Sequence, residues 1–285
     1  MTRISVRGYA KLNLALAVTG TRLDGYHLLD TVMRTVSLYD EVTVERTEEP
    51  GVRLLCADPR VPQDGRNTAV RAAERYIRAA GMPGGVRITV CKRIPLEAGM
   101  GGSSADAAAV LNAMQTLWRS LPENELTALA ASIGADVPFQ LRGGLTRCTG
   151  IGDQMEPLPP LSGDFYVVCK PPFGIRTPDA FVACDRLASP QNPDVERLCG
   201  ALRRNDLRAA AKDMGNLLEQ AVDRPEIEML RASLPDAGAM TAAMTGSGSA
   251  VFGLFLSLAD AEAAAARVRT PPDTEVMVCG GVNTV

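Results

Sequence analysis

Residues 95 to 118 read PLEAGMGGSSADAAAVLNAMQTLW. A glycine-rich turn passes through Ser103 and Ser104 into an alanine-rich run whose Val110, Leu111, Met114 and Leu117 fall on one helical face. Val86 to Val90 alternates as a strand just upstream, so the unit is strand, glycine loop, helix. Glycines let a backbone approach an anion, and a helix N-terminus offers unpaired N–H groups and the positive end of a dipole. Gly99, Met100, Gly101, Gly102, Ser103 and Ser104 therefore have the form of a polyphosphate cradle. The loop is not of the Walker type, because no Gly-Lys-Ser/Thr follows, and it lacks the third glycine of the dinucleotide fingerprint. A plainer reading makes Ser103 or Ser104 a helix cap with Asp106 in the first turn, but two caps and three glycines exceed what a cap requires.

Working outward, the amino-terminal side reads as a β-meander: an alternating run through Leu12, Leu14 and Leu16, a turn at Asp24-Gly25, then strands over 31–37 and 41–44. Asn67-Thr68 caps a helix with Val70, Ala73, Ile77 and Ala80 on one face, ending at Gly81. Downstream, a helix begins near Pro122, carries Leu126, Leu129, Ala130 and Ile133 on one face, and stops at Gly134. The proline-rich stretch 157–160 is the linker candidate. The second half restarts with a strand over 165–169. Helices are expected over 179–187, 195–203, 207–221 and 226–233, and strands over 250–256 and 275–279 flank a helix near 259–268. Both halves are α+β.

Composition narrows the function. The 285 residues are 46% hydrophobic, 22% charged and 4% aromatic, with 30 Lys+Arg against 33 Asp+Glu for a net charge of −3. That is the profile of an ordinary globular protein, without the basic surface or stacking residues of a nucleic-acid binder. Seven scattered cysteines with no C-x-x-C pair read as reduced thiols in a cytoplasmic protein. No run approaches the apolar length of a membrane span. A single histidine, His27, excludes multi-histidine zinc sites and leaves phosphate and carboxylate chemistry ahead of hydrolytic triads.

Other residues are informative mainly in combination. Lys11 sits in an apolar strand, where its charge needs water or a partner such as Asp136. Alone, Lys11 reads as a snorkelling edge residue and Asp136 as a turn or capping aspartate. Asn13 shares the strand face of Lys11. Tyr26-His27 after the turn offers a ring to stack on a flat base and an imidazole to hydrogen-bond it, or else a packed hairpin pair. Gly246-Ser247-Gly248-Ser249 presents N–H groups to a ligand or simply turns the chain.

Together these segments resemble the GHMP kinase superfamily, whose members phosphorylate small alcohols with ATP through a P-x-x-x-G-[LM]-G-x-S-S-type loop, here Pro95 to Ser104. A-K-L-N-L at 10–14, D-G-Y-H at 24–27, G-A-D-V-P at 134–138, R-T-P-D-A-F at 176–181 and T-G-S-G at 245–248 extend the likeness over nearly the whole chain. The opening motif, D-G-Y-H and G-A-D-V-P point to the branch acting on a cytidine diphosphate-linked methylerythritol in isoprenoid precursor synthesis. One departure lies in the loop, which in that branch commonly reads G-L-G-G-G-S-S-D. Ser103 replaces a glycine here and Ala105 a serine.

The resemblance implies an α+β two-domain GHMP kinase fold with the active site in the interdomain cleft. An amino-terminal ATP-binding domain, like the second domain of ribosomal protein S5, would span 1–160. A ferredoxin-like carboxy-terminal domain would span 161–285, with its last strand able to pack back on the first. Asp136 would orient or deprotonate the substrate hydroxyl and Lys11 would stabilise the reacting oxygens. Asn13, Tyr26, His27, Thr177 and Phe181 would hold the substrate, with Tyr26 and His27 on the cytosine. Pro95 and residues 99–104 would wrap the ATP phosphates, Asn67 and Lys92 would lie near the adenine, and Gly246, Ser247 and Gly248 would close over the site. Magnesium would accompany the nucleotide with no protein ligand assigned, and a monomer and a homodimer both remain open. A kinase for mevalonate or homoserine would share the loop, Lys11 and Asp136 without needing a base clamp. A nucleotide-binding regulatory protein and an oxidoreductase are the remaining alternatives.

Overall fold

The computed structural model describes residues 2–82 and 84–285. The chain opens with a long antiparallel hairpin, β1 (Arg3–Thr21) and β2 (His27–Thr47), rather than a meander of short strands. β2 runs unbroken through Tyr39-Asp40, where it changes neighbours. β3 (Gly51–Cys56), α1 (Thr68–Ala80) and β4 (Gly85–Cys91) come next. α2 (Gly102–Trp118) and α3 (Glu123–Ile133) lie at the expected places, followed by α4 (Val137–Arg142), β5 (Leu145–Gly150) and β6 (Gln154–Pro157). β4 pairs with the second half of β2, over Glu41–Thr47, and β5 with the first, over Leu29–Arg34. Sequence periodicity misses α4, β5 and β6, each only four to six residues long.

The second half runs β7 (Phe165–Lys170), α5 (Thr177–Cys184), α6 (Val195–Arg203), α7 (Leu207–Ala210) and β8 (Gly215–Asn216). It continues through α8 (Pro225–Asp236), β9 (Ala242–Met244), β10 (Val251–Phe255), α9 (Leu258–Ala265) and β11 (Glu275–Gly280). The helix expected over 207–221 is broken. Gly215 and Asn216 pair in parallel with Ala15 and Leu16, and the Asn216 side chain caps a short 3-10 turn at Leu217–Gln220. Tertiary pairing overrides helical periodicity there.

Among the described residues, one sheet has seven strands, in the order β3-β4-β2-β1-β8 with β5 attached to β2 and β6 to β5, and the other has four, in the order β11-β7-β10-β9. α2 is buried around most of its circumference, so its alanines serve close approach rather than an amphipathic stripe. Gly8 of β1 permits that approach, since a Cβ there would lie 2.7 Å from the Ala105 carbonyl oxygen. One core cluster joins Leu12 and Leu14 of the first sheet to Tyr166, Phe252 and Leu254 of the second. Beside it, fully buried Arg34 of β2 forms a two-pronged pair with Asp164 (2.8 and 3.0 Å) and donates to Leu161 O, Val282 O and Asn283 Oδ1. Tyr166 donates its hydroxyl to the same Asp164. The two sheets and the 281–283 segment meet at that charge pair.

Candidate active site

A cavity of about 1100 Å³ opens between the two sheets, lined by Lys11, Asn13, Asn67, Lys92, residues 93–104, Asp106 and Asp136 on one side. Residues 174–178, Phe181 and Gly246–Gly248 line the other. Gly101 (φ +71°) leads into α2 with no side-chain cap, and Ser103 and Ser104 lie inside the helix and line the cavity. The capping alternative therefore fails, as does Asp106 as a first-turn acid. Gly99 (φ +73°) touches the opposing loop, where an added Cβ would sit 2.1 Å from Thr245 O. At Gly101 a Cβ would meet Lys11 Cγ at 3.1 Å, so the lysine stem runs against the loop. Ala105 faces the core cluster rather than the cavity, so its departure from serine removes no hydroxyl from the phosphate side.

Lys11 is 4% exposed. Its Nζ donates to Gly99 O at 2.7 Å and to Asn13 Oδ1, while Asp136 Oδ2 lies at 3.9 Å. Burial lowers its pKa, and the Asp136 carboxylate opposes that shift. The aspartate pairing expected from sequence is thus present but loose, and the closer partners hold the ammonium at the loop. Asp136 occupies the N-cap position of α4 without making a capping hydrogen bond, which leaves its half-buried carboxylate facing Lys11. Asn13 Nδ2 donates to Thr31 Oγ1, which donates to Ala15 O, so the amide is fixed from both ends. Thr245 opens the T-G-S-G stretch, and its role depends on distant partners that sequence spacing does not reveal. It accepts from Asn13 N (3.0 Å) and donates to Gly99 O (3.4 Å), stitching loop to strand. Asn216 donates to Met244 O and Gly246 O, both at 2.7 Å, and fixes the 246–248 loop. Thr177 Oγ1 and Ser247 Oγ lie 3.0 Å apart.

The remaining expected residues divide. Asn67 reaches the cavity, but its Oδ1 caps α1 through Ala69 N and its Nδ2 donates to Pro62 O, so its amide is occupied by local structure. Lys92 lies between two carboxylates, Asp40 Oδ2 at 2.5 Å and Asp106 Oδ2 at 2.8 Å, and is only 8% exposed at its side chain. Tyr26 and His27 are not among the cavity-lining residues. Tyr26 is 62% exposed, whereas His27 stacks on Phe181 (4.6 Å between ring centres, 23° between planes) and meets Asp185 Oδ1 at 2.8 Å. His27 reaches the cavity rim through Phe181, whereas Tyr26 stays in solvent. No three His, Cys, Asp or Glu side chains gather into a metal-holding set among the described residues, and no helix there is long and apolar enough to cross a membrane.

Comparison with known proteins accounts for this arrangement. The family description "GHMP kinases N terminal domain" matches residues 67–144, and "GHMP kinases C terminal" matches 198–273. A 4-diphosphocytidyl-2-C-methyl-D-erythritol kinase of Clostridium botulinum (strain Eklund 17B / Type B) is 38% identical over 88% of this chain and 91% of that protein. One from Clostridium novyi is 37% identical over 87% and 90%. The crystal structure of a 4-(cytidine 5'-diphospho)-2C-methyl-D-erythritol kinase superposes with a TM-score of 0.80 at 37% identity, covering 98% of this chain and all of that one. A homoserine kinase from Cytophaga hutchinsonii reaches 0.79 at 21% identity, over 99% and 96% of the two chains, which is a likeness of fold. The glycine loop, the cleft and the sequence relationship converge, and the chain belongs to the 4-diphosphocytidyl-2-C-methyl-D-erythritol kinase family of the GHMP kinases.

Proposed function

We propose that the protein transfers the γ-phosphoryl group of ATP to the 2-hydroxyl of 4-diphosphocytidyl-2-C-methyl-D-erythritol, giving the 2-phosphate and ADP for isoprenoid precursor synthesis. The observation that carries the reading is the Lys11–Asp136 pair, 3.9 Å apart, set against a phosphate loop at the centre of the cleft. Phosphoryl transfer asks the protein for alignment and charge rather than covalent chemistry. Asp136 receives and orients the alcohol, taking its proton as the bond to phosphorus forms. Lys11, held by Gly99 O and Asn13 Oδ1, presents its ammonium to the reacting oxygens. The loop 99–104 takes the phosphates on its N–H groups. Phe181, with His27 stacked behind it, and Thr177 with Ser247 form the acceptor side. Tyr26 at the hairpin tip closes over the base.

Magnesium would arrive on the nucleotide and neutralise phosphate charge, with Ser103 and Ser104 the loop hydroxyls available to it. We divide the chain into an ATP-binding domain over 1–160 and a carboxy-terminal domain over 161–285, although β8 crosses back to pair with β1. A cytoplasmic location fits the seven free thiols. The test is ADP release with magnesium-ATP on the cytidine substrate, mevalonate and homoserine. Turnover confined to the first is expected, and turnover confined to another alcohol would overturn the substrate assignment.

A further inference from the structure

Lys92, Asp40 and Asp106 form a buried charge cluster that the transfer step does not use. They come from three segments that meet beside the phosphate loop. Asp40 lies in β2, where that strand changes partners, Lys92 follows β4, and Asp106 lies in the second turn of α2. Lys92 Nζ spans the two carboxylates, at 2.5 Å from Asp40 and 2.8 Å from Asp106. The other oxygen of Asp40 accepts the backbone N–H groups of Arg93 (2.5 Å) and Ile94 (2.9 Å), the two residues that lead into Pro95. Thus Asp40 fixes the chain just before the loop, Asp106 fixes it just after, and Lys92 joins them. A Cβ built on Gly102 would lie 3.5 Å from Lys92 Nζ, so the ammonium packs against the loop glycine. Asp106 is 4% exposed and lines the cavity, and its Oδ1 has no hydrogen-bond partner.

We propose that Asp40 and Asp106 are positioning residues for nucleotide binding: through Lys92 they set the spacing between the two ends of the phosphate loop, and with it the aim of the loop N–H groups. The inference rests on the kinase reading only in taking the loop as the nucleotide's seat. Two carboxylates share one ammonium out of water. Burial first, and the neighbouring Asp40 charge in addition, push Asp106 up to about 7, against the pull of Lys92. The charged groups facing Asp106 are Asp40 from β2 and Lys92 after β4.

The test is direct titration of the intact protein with a non-hydrolysable ATP analogue and magnesium, with no alcohol present, together with separate KM values for ATP and acceptor. Asp106→Asn keeps shape and leaves Lys92 charged. It is expected to weaken the analogue about tenfold and to raise the KM for ATP with acceptor KM within about twofold. Lys92→Met combined with Asp106→Asn should cost no more than Lys92→Met alone, because both act through one contact. Unchanged analogue affinity in Asp106→Asn would overturn the proposal. So would additive losses in the double variant, or equal rises in both KM values with a parallel fall in melting temperature. A wild type that binds the analogue but phosphorylates none of the alcohols would refute the function above and leave this inference standing.

Discussion

The two ends of the cleft are built on opposite principles. At the nucleotide end nearly every polar group already has a partner: Lys11 on Gly99 and Asn13, Thr245 on Asn13 and Gly99, Lys92 on two carboxylates. At the acceptor end Tyr26 is mostly exposed, Thr177 is exposed, and the His27–Asp185 contact joins a nearly buried ring to a carboxylate that is half in water. The difference teaches where binding costs fall. A preformed end binds without ordering its side chains, whereas an open end must restrict rotamers when ligand arrives. Substitutions at the first should therefore act on folding, turnover or nucleotide binding, and at the second mainly on acceptor KM.

Gly99→Ala should have the largest effect, since it combines a φ of +73° with a Cβ 2.1 Å from Thr245 O. A stability loss of about 3 kcal/mol or more in urea titration is expected, with nucleotide binding abolished. A stable, active variant would show that this end yields as easily as the other. Asp136→Asn comes next, lowering turnover by about 100-fold or more while ATP-analogue binding persists, measured by stopped assay and calorimetry. Equal turnover in the purified variant would remove Asp136 from the chemistry. Phe181→Ala should raise acceptor KM by about tenfold with ATP KM unchanged, because it removes the ring between His27 and the cavity. A matching rise in ATP KM would erase the proposed division of the cleft. The smallest effect is on stability against pH. The fold raises Asp106 to about 7, so native protein binds a proton that unfolded chain releases near pH 4. That group's contribution is complete below its unfolded pKa and declines as pH rises through 7. Melting temperatures should show a downward component between about pH 4 and 7 that Asp106→Asn lacks.

Long periodic elements are the most legible part of the sequence. α1 begins and ends where Asn67 and Gly81 say it should, with the Asn67 side chain on Ala69 N and Gly81 at φ +60°. The phosphate loop is legible for the same reason, as glycines, serines and helix occur in one continuous stretch. Elements fixed by distant partners escape notice. Gly215-Asn216 is a strand only because β1 lies beside it, and nothing local marks Asp40 as the acceptor for residues 93 and 94. Within the site, Lys11 and Asp136 are suggested by charge in unusual places, and the family resemblance joins them. The structure brings them together from opposite ends of a 125-residue separation. It also gives Lys11 the nearer partners, Gly99 and Asn13, that residue-type reasoning did not choose.

The Arg34 cluster bears on how such a chain is made. Every partner of that guanidinium lies beyond position 160: Leu161, Asp164, Val282 and Asn283. During vectorial synthesis the hairpin carrying Arg34 emerges long before residues 282 and 283, which are 248 and 249 positions downstream. The nascent first sheet must therefore wait with an unneutralised cation at its centre, and a fragment cut at 160 would keep it permanently. Although each half has its own sheet, the two halves are not independent folding units, and the kinase should mature as one body.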